Sequence, residues 1–392
     1  MFRRSIITGL MAVAFVGSFA ASALAQEVVK IGLILPMTGP FTSTGKQIDG
    51  AVRLYMQEHG ATVAGKKIEV ILKDDAGNPD TTKRIAQELV VNDKVHFLAG
   101  FGLTPLALAT APIATEAKVP EIIMAAGTSI ITERSPYIVR TSFTVPQSSA
   151  TMGEWAAKNN IKKVVTMVTD YAPGHDAEKS FTERFKAAGG QVVAELRVPL
   201  ANPDFAPFLQ RAADAKPDAI FVFVPSGPGA IVMKQYVERG LDKAGIKLIG
   251  TGDLTDDDIL PGYGDVALGI ITAFFYSTAH PSPKNKAYDT AFRKLNPGMR
   301  PNFMSVGGYD GMHLIYEALK KTGGKTDGDA LVAAMKGMKW ESPRGPISID
   351  PETRDIIQNI YMRKVEKVGG ELFNIEFATF EAVKDPVKAE KK

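Results

Sequence analysis

Several turns in this chain of 392 residues place hydroxyls, glycines and aromatic rings at spacings suited to holding a small anion. The stretch Pro36–Gln47 combines a Gly/Thr/Ser turn with one ring: Phe41, Ser43 and Thr44 stand beside backbone N–H groups. A phosphate loop needs four residues between its glycines, then Lys and a Ser or Thr. Five residues separate Gly39 from Gly45, and Gln47 follows Lys46, so that motif is not met. In Gly100-Phe101-Gly102-Leu103-Thr104-Pro105 the glycines allow close backbone approach, and Pro105 suits a first helical turn. Thr104 is then either a helix N-cap or, with the helix N-terminus behind it, a hydrogen-bonding group for an anion. The small residues Ala125, Ala126, Gly127 and Thr128 leave amides open in a nest that suits a carboxylate. Tyr171, Pro225, Ser226 and Asp253 belong to three further turns of this kind. No nucleophile elbow, zinc motif or dinucleotide fingerprint is present, and His175 reads as part of a helix start. The chemistry on offer is capture, with no catalytic residue. Asp256-Asp257-Asp258 lacks the Gly and bidentate Glu of a calcium loop, and proximity to a helix N-terminus is sufficient reason for it. No metal or cofactor is expected.

These turns all fall at the ends of short β-rich runs that alternate with helical patterns. Val28–Leu35, Lys67–Lys73, Val95–Ala99 and Glu121–Met124 read as strands, with helices between them. After a polar link around 142–149 the alternation restarts, with strands at Val164–Val168, Val192–Val198, Ala219–Val224, Lys247–Gly250 and Gly269–Ala273. Later helices outnumber strands and are expected to complete the first unit. The expected fold is α/β: two Rossmann-like lobes with parallel central sheets, joined by a three-strand hinge. Lobe 1 takes 26–144 and 277–349, lobe 2 takes 145–276 and 350–382, and 383–392 is a charged, disordered tail. Ligands of open α/β sheets bind at the carboxyl ends of strands and between domains, which is where the turns lie.

Arg3 and Arg4, an apolar stretch to Ala21 and the small-residue end Ala23-Leu24-Ala25 form the three parts of a cleavable signal peptide, 1–25, cut after Ala25. The whole chain has 46 Lys and Arg against 43 Asp and Glu, and two of the basic residues sit in the leader. The near-neutral remainder offers no electrostatic footprint for nucleic acid. With no cysteine, disulfides, thiolate sites and lipid attachment are all excluded. A soluble, unanchored, monomeric protein of the periplasm is expected.

Lys30-Ile31-Gly32-Leu33, Met37-Thr38-Gly39-Pro40, Asp74-Asp75, Gly100–Thr104, Ala125-Ala126, Arg140-Thr141, Asp170-Tyr171 and Lys234-Gln235 occur in an order that resembles one family. It is the periplasmic Leu/Ile/Val-binding proteins of ABC transporters, with a type I solute-binding fold, and the likeness runs over the whole mature chain. The resemblance implies a cleft that closes on a ligand, a hydroxyl at Thr104 and the alanine turn on its α-carboxylate, and an inner-membrane ABC permease as partner. Departures concern the ligand's other end. Gly127 stands where amino acid binders place Thr, Pro173 where they have Tyr, and Gly252 where a Glu pairs with the ammonium. A desolvated ammonium without a carboxylate is costly by several kcal/mol. A carboxylate ligand without an amine is therefore preferred, with Phe41, Phe101, Tyr171 and Tyr276 around an aromatic ring. Branched-chain amino acid binding and a periplasmic ligand sensor stay open as alternatives.

Overall fold

The computed structural model describes residues 27–389; the expected leader and its cleavage site lie outside them. The first unit opens with β1 (Val28–Leu35), whose near-continuous apolar sequence is buried on both faces, as a central parallel strand requires. It continues through α1 (Thr42–His59), β2 (Thr62–Val63), β3 (Lys66–Asp74), α2 (Pro79–Val91), β4 (Phe97–Gly100), α3 (Thr104–Ala117), β5 (Glu121–Ile123) and β6 (Ile138–Arg140). These strands form one six-stranded sheet of order β2-β3-β1-β4-β5-β6, parallel apart from the β2–β3 pair.

The second unit runs through α4 (Val145–Lys158), β7 (Lys163–Thr169), α5 (Ala172–Ala187), β8 (Gln191–Val198), α6 (Ala206–Asp214), β9 (Ala219–Phe223), α7 (Gly229–Glu238), β10 (Lys247–Thr251) and β11 (Ile271–Phe274). The chain then returns with α8 (Pro283–Leu295), α9 (Phe303–Lys321) and α10 (Gly328–Met335). As expected, these late helices serve the first unit: α8 and α9 pack on α1, and α10 on α9. β12 (Lys339–Ser342), β13 (Gly345–Ile349), β14 (Ile356–Val368), β15 (Glu371–Val383) and the short α11 (Pro386–Ala389) end the chain. The second sheet has nine strands, β7–β11 parallel and β12–β15 joined to β11 as an antiparallel extension.

Three expectations change. Residues 339–349, placed with lobe 1, pair with the second sheet, because β13 needs β14 beside it. The polar stretch 142–149 holds the start of α4, where Thr144 and Gln147 form a capping box. The charged tail is docked as far as residue 389. Lys388 Nζ is buried 2.5 Å from Asp355 and 2.6 Å from Thr132 Oγ1, and the Ser129 hydroxyl donates to Asp385 at 2.5 Å. Three buried charges, Asp355, Asp385 and Lys388, override the propensity for disorder by pairing.

A candidate ligand site between the two sheets

Turns that leave the carboxyl ends of strands in both sheets meet around one cavity, with an atom-free volume of about 460 Å³ that includes some open solvent. Ten of the expected residues line it. Phe41, Thr44, Thr104, Ala125, Ala126 and Gly127 come from the first unit, and Tyr171, Pro225, Ser226 and Asp253 from the second.

On the first side, α3 begins at Thr104, with Leu103 in the N-cap position. The Thr104 hydroxyl is therefore not spent as a cap. It lies 2.8 Å from the Thr128 hydroxyl. As the first helical residue, Thr104 has a backbone N–H with no partner inside the helix. The Ala125–Thr128 turn is held from behind by buried Arg140, which donates to the carbonyls of Ala126 and Thr128, both at 2.7 Å. In a trans peptide the next N–H points opposite to the carbonyl, so the Gly127 N–H is turned away from Arg140. Arg140 is fixed in turn by Asp355, Nε to Oδ1 2.8 Å. Hydroxyl, helix start and turn together can hold a carboxylate by charge-assisted hydrogen bonds.

The rest of the wall is apolar. Phe143, Val145, Phe223, Phe303 and Met304 line it, along with Gly102, Leu103 and Pro173. Phe143 meets Phe303 edge-on at 5.8 Å, and Tyr171 lies 6.2 Å from Phe223. The sequence reading missed Phe143, Val145, Phe223, Phe303 and Met304. Phe143 falls in the stretch taken as a polar link, and Phe303–Met304 arrive only with the chain's second return to the first unit.

Four expected residues sit elsewhere. Phe101 is wholly buried in the apolar layer with Leu106 and Ile131, because its side chain turns away from the cleft. Tyr276 is also buried, its hydroxyl on Asn285 Oδ1 at 3.0 Å. Thr128 stands behind Thr104 and orients its hydroxyl. Ser43 is exposed and spans the gap, donating to Asp258 Oδ2 at 3.0 Å.

Glycine is required at two of the departures. A Cβ on Gly127 would lie 2.9 Å from the Phe143 ring, and one on Gly252 would lie 2.2 Å from the Phe274 ring and 2.4 Å from Arg363 Nη2. Where amino acid binders carry an ammonium-pairing Glu, this chain has a buried guanidinium and a ring. Asp253, adjacent, lines the cavity at 5% exposure, and burial pushes its carboxyl up to about 7. The acidic triplet stands just before the 3-10 segment Leu260–Ala267, with Asp256 Oδ1 accepting from the Asp258 N–H at 3.1 Å. It also meets side chains from across the cleft. Asp256 is bonded by Ser226 and by Asn302 Nδ2 (2.9 Å). Asp257 takes Asn374 Nδ2 (3.0 Å), and Asp258 accepts from Ser43 and from the Arg300 N–H (3.1 Å).

This architecture has close counterparts. The Leu/Ile/Val-binding protein homolog 6 of Brucella melitensis biotype 1 is 47% identical over 374 residues, covering 94% of this chain and 96% of that one. A solute-binding protein of an ABC transporter from Rhodopseudomonas palustris BisB5, solved in complex with 3,4-dihydroxy benzoic acid, is 71% identical. It has a TM-score of 0.90 and covers 92% of this chain and 99% of that one. Another R. palustris solute-binding protein, solved with 4-hydroxybenzoate, is 43% identical with a TM-score of 0.90, covering 93% and 100%. Residues 28–370 match the family described as periplasmic binding protein, and the chain belongs to that family.

Proposed function

We propose that this protein is the periplasmic solute-binding component of an ABC importer, and that it captures a small aromatic carboxylate between its lobes for delivery to a membrane permease. One observation carries this reading: the cavity pairs a carboxylate-holding turn with a ring-lined wall, while Arg363 and Phe274 fill the place of an ammonium partner. The carboxylate rests on Thr104 and the Ala125–Gly127 turn, and Phe41, Tyr171, Phe143 and Phe303 enclose the ring. The two R. palustris proteins solved with ring-hydroxylated benzoates support the same ligand class. The ligand leaves unaltered, with no cofactor and no catalytic step, and the carrier acts as a monomer freed by cleavage after Ala25. Among the described residues, lobe 1 comprises 27–144 together with 277–338, and lobe 2 comprises 145–276 together with 339–389.

A second reading, branched-chain amino acid binding, draws on the Brucella relative's name and on Asp253 as a carboxylate within the cleft. A thermal-shift screen separates the two. Ligand at a hundred times its Kd stabilises by about 2.7 kcal/mol, so benzoates should raise the melting temperature by several degrees. A shift with leucine, isoleucine or valine alone would overturn the proposal.

A further inference from the structure

We propose that Asp253 is the specificity-determining residue of the cleft: its carboxylate accepts a hydroxyl carried on the ligand's ring, so hydroxylated benzoates are selected over benzoate. This rests on the aromatic carboxylate reading above.

Asp253 follows the end of β10 and is the one acidic side chain among the cavity's lining residues. Its Oδ2 accepts from Thr251 Oγ1 at 3.1 Å, and the carboxyl borders the cavity. Around it on the same lobe, Phe223 and Pro225 are apolar, the Ser226 hydroxyl is committed to Asp256, and the buried Tyr171 phenol is close by. A carboxyl oxygen buried beside apolar groups is costly unless a donor reaches it.

The donor's charge can be argued too. Arg363 is fully buried, with its guanidinium over the Phe274 ring at 5.2 Å and Nη2 3.4 Å from the Gly252 carbonyl. A ligand ammonium at Asp253 would sit near this guanidinium, which pairs with Asp257 at 3.6 Å, whereas a ring hydroxyl is neutral. The carboxylate end belongs to the first lobe and Asp253 to the second. A hydroxylated ring thus spans the cleft, and its second hydrogen bond forms only when the lobes are together.

Calorimetry with benzoate, 4-hydroxybenzoate and 3,4-dihydroxybenzoate on the parent, Asp253→Ala and Asp253→Asn proteins tests this. The parent should prefer the hydroxylated acids by ~10-fold or more, the scale of one hydrogen bond to a charged group. In Asp253→Ala the ratio of the benzoate Kd to the hydroxybenzoate Kd should fall towards one, whatever happens to the absolute affinities. Asp253→Asn, whose amide oxygen still accepts, should keep part of it, and its similar shape guards against loss of the fold. An unchanged preference in Asp253→Ala, or an equal loss for all three acids, would overturn the assignment. If the parent binds none of the three, the aromatic carboxylate reading fails first and takes this one with it.

Discussion

Thr104 carries the clearest residue-scale consequence. Its hydroxyl is buried, oriented by Thr128 and free of capping duty. Thr104→Val keeps the shape and removes the hydrogen bond. Affinity for any carboxylate ligand should fall by ~10-fold or more, since bonds to charged groups contribute about 1.5–3 kcal/mol. Titration calorimetry reads this directly, and an unchanged Kd would place the carboxylate elsewhere. Asp253 adds a pH dependence in the ligand-free protein. Its pKa is about 7 when folded, raised by burial, against about 3.9 unfolded. Between these values the folded state holds more protons, so this group's contribution to stability declines as pH rises from about 4 to about 7. Asp253→Asn cannot ionise, so its melting temperature should gain on the parent's across that window. A constant difference would show that the carboxyl titrates normally. At this scale the small turns were legible because hydroxyls and glycines directly after a strand have few other uses. Phe101 and Tyr276 were misread because an aromatic near a strand end suits a core as well as a pocket, and sequence does not say which way the ring turns.

At the scale of elements, the site depends on a buried ionic group behind it. Arg140, at the end of β6, clamps the Ala125–Thr128 turn and pairs with Asp355, which also holds Lys388 of α11. Arg140→Met removes a donor from the carbonyls of Ala126, Thr128 and Phe143 and from the Asp355 carboxylate. Breaking one side of a buried pair costs about 3–5 kcal/mol, so chemical denaturation should show a loss of that order, with weaker ligand binding. A loss below 1 kcal/mol would contradict the clamp. Ending the chain after Val383 removes Asp385 and Lys388 and should lower the melting temperature, whereas removing only 390–392 takes none of these bonds. Helix–strand alternation made β1, β3–β5 and β7–β11 readable, since these are short β-rich runs between helical patterns, whereas the two-residue β2 left no pattern. Ile347–Ile349 and Asp355–Lys364 read as strand-like, but β12, the sheet that β13 joins and the docking of α11 were not readable. Lys388 depends on Thr132, far along the chain, and β13 follows its neighbour β14 into the sheet that β14 joins through β11.

The whole molecule is held with its cleft shut by side chains that cross it. Ser43, Arg300 and Asn302 reach the Asp256–Asp258 segment, and the Ser129 N–H reaches Asp176 Oδ2 at 2.9 Å. These bonds exist only when the lobes are together, so removing one biases the equilibrium towards the open form and lowers affinity by the fraction of competent molecules lost. Asp258→Ala should weaken every ligand by the same factor and enlarge the ligand-free protein in small-angle scattering. A change in ligand preference would mean that Asp258 contacts the ligand. The two-unit plan was visible in the sequence, because the strand–helix pattern runs, pauses and restarts. Which side chains meet across the cleft was not, since those contacts depend on lobe orientation.

The central claim is that the carboxylate-binding half of an amino acid site is kept and the ammonium-binding half is replaced. A head-to-head calorimetric titration of the parent protein with 4-hydroxybenzoate and with leucine tests it most directly. Binding of 4-hydroxybenzoate should be saturable and one-to-one, with no heat from leucine. Tight leucine binding with no response to 4-hydroxybenzoate would contradict it.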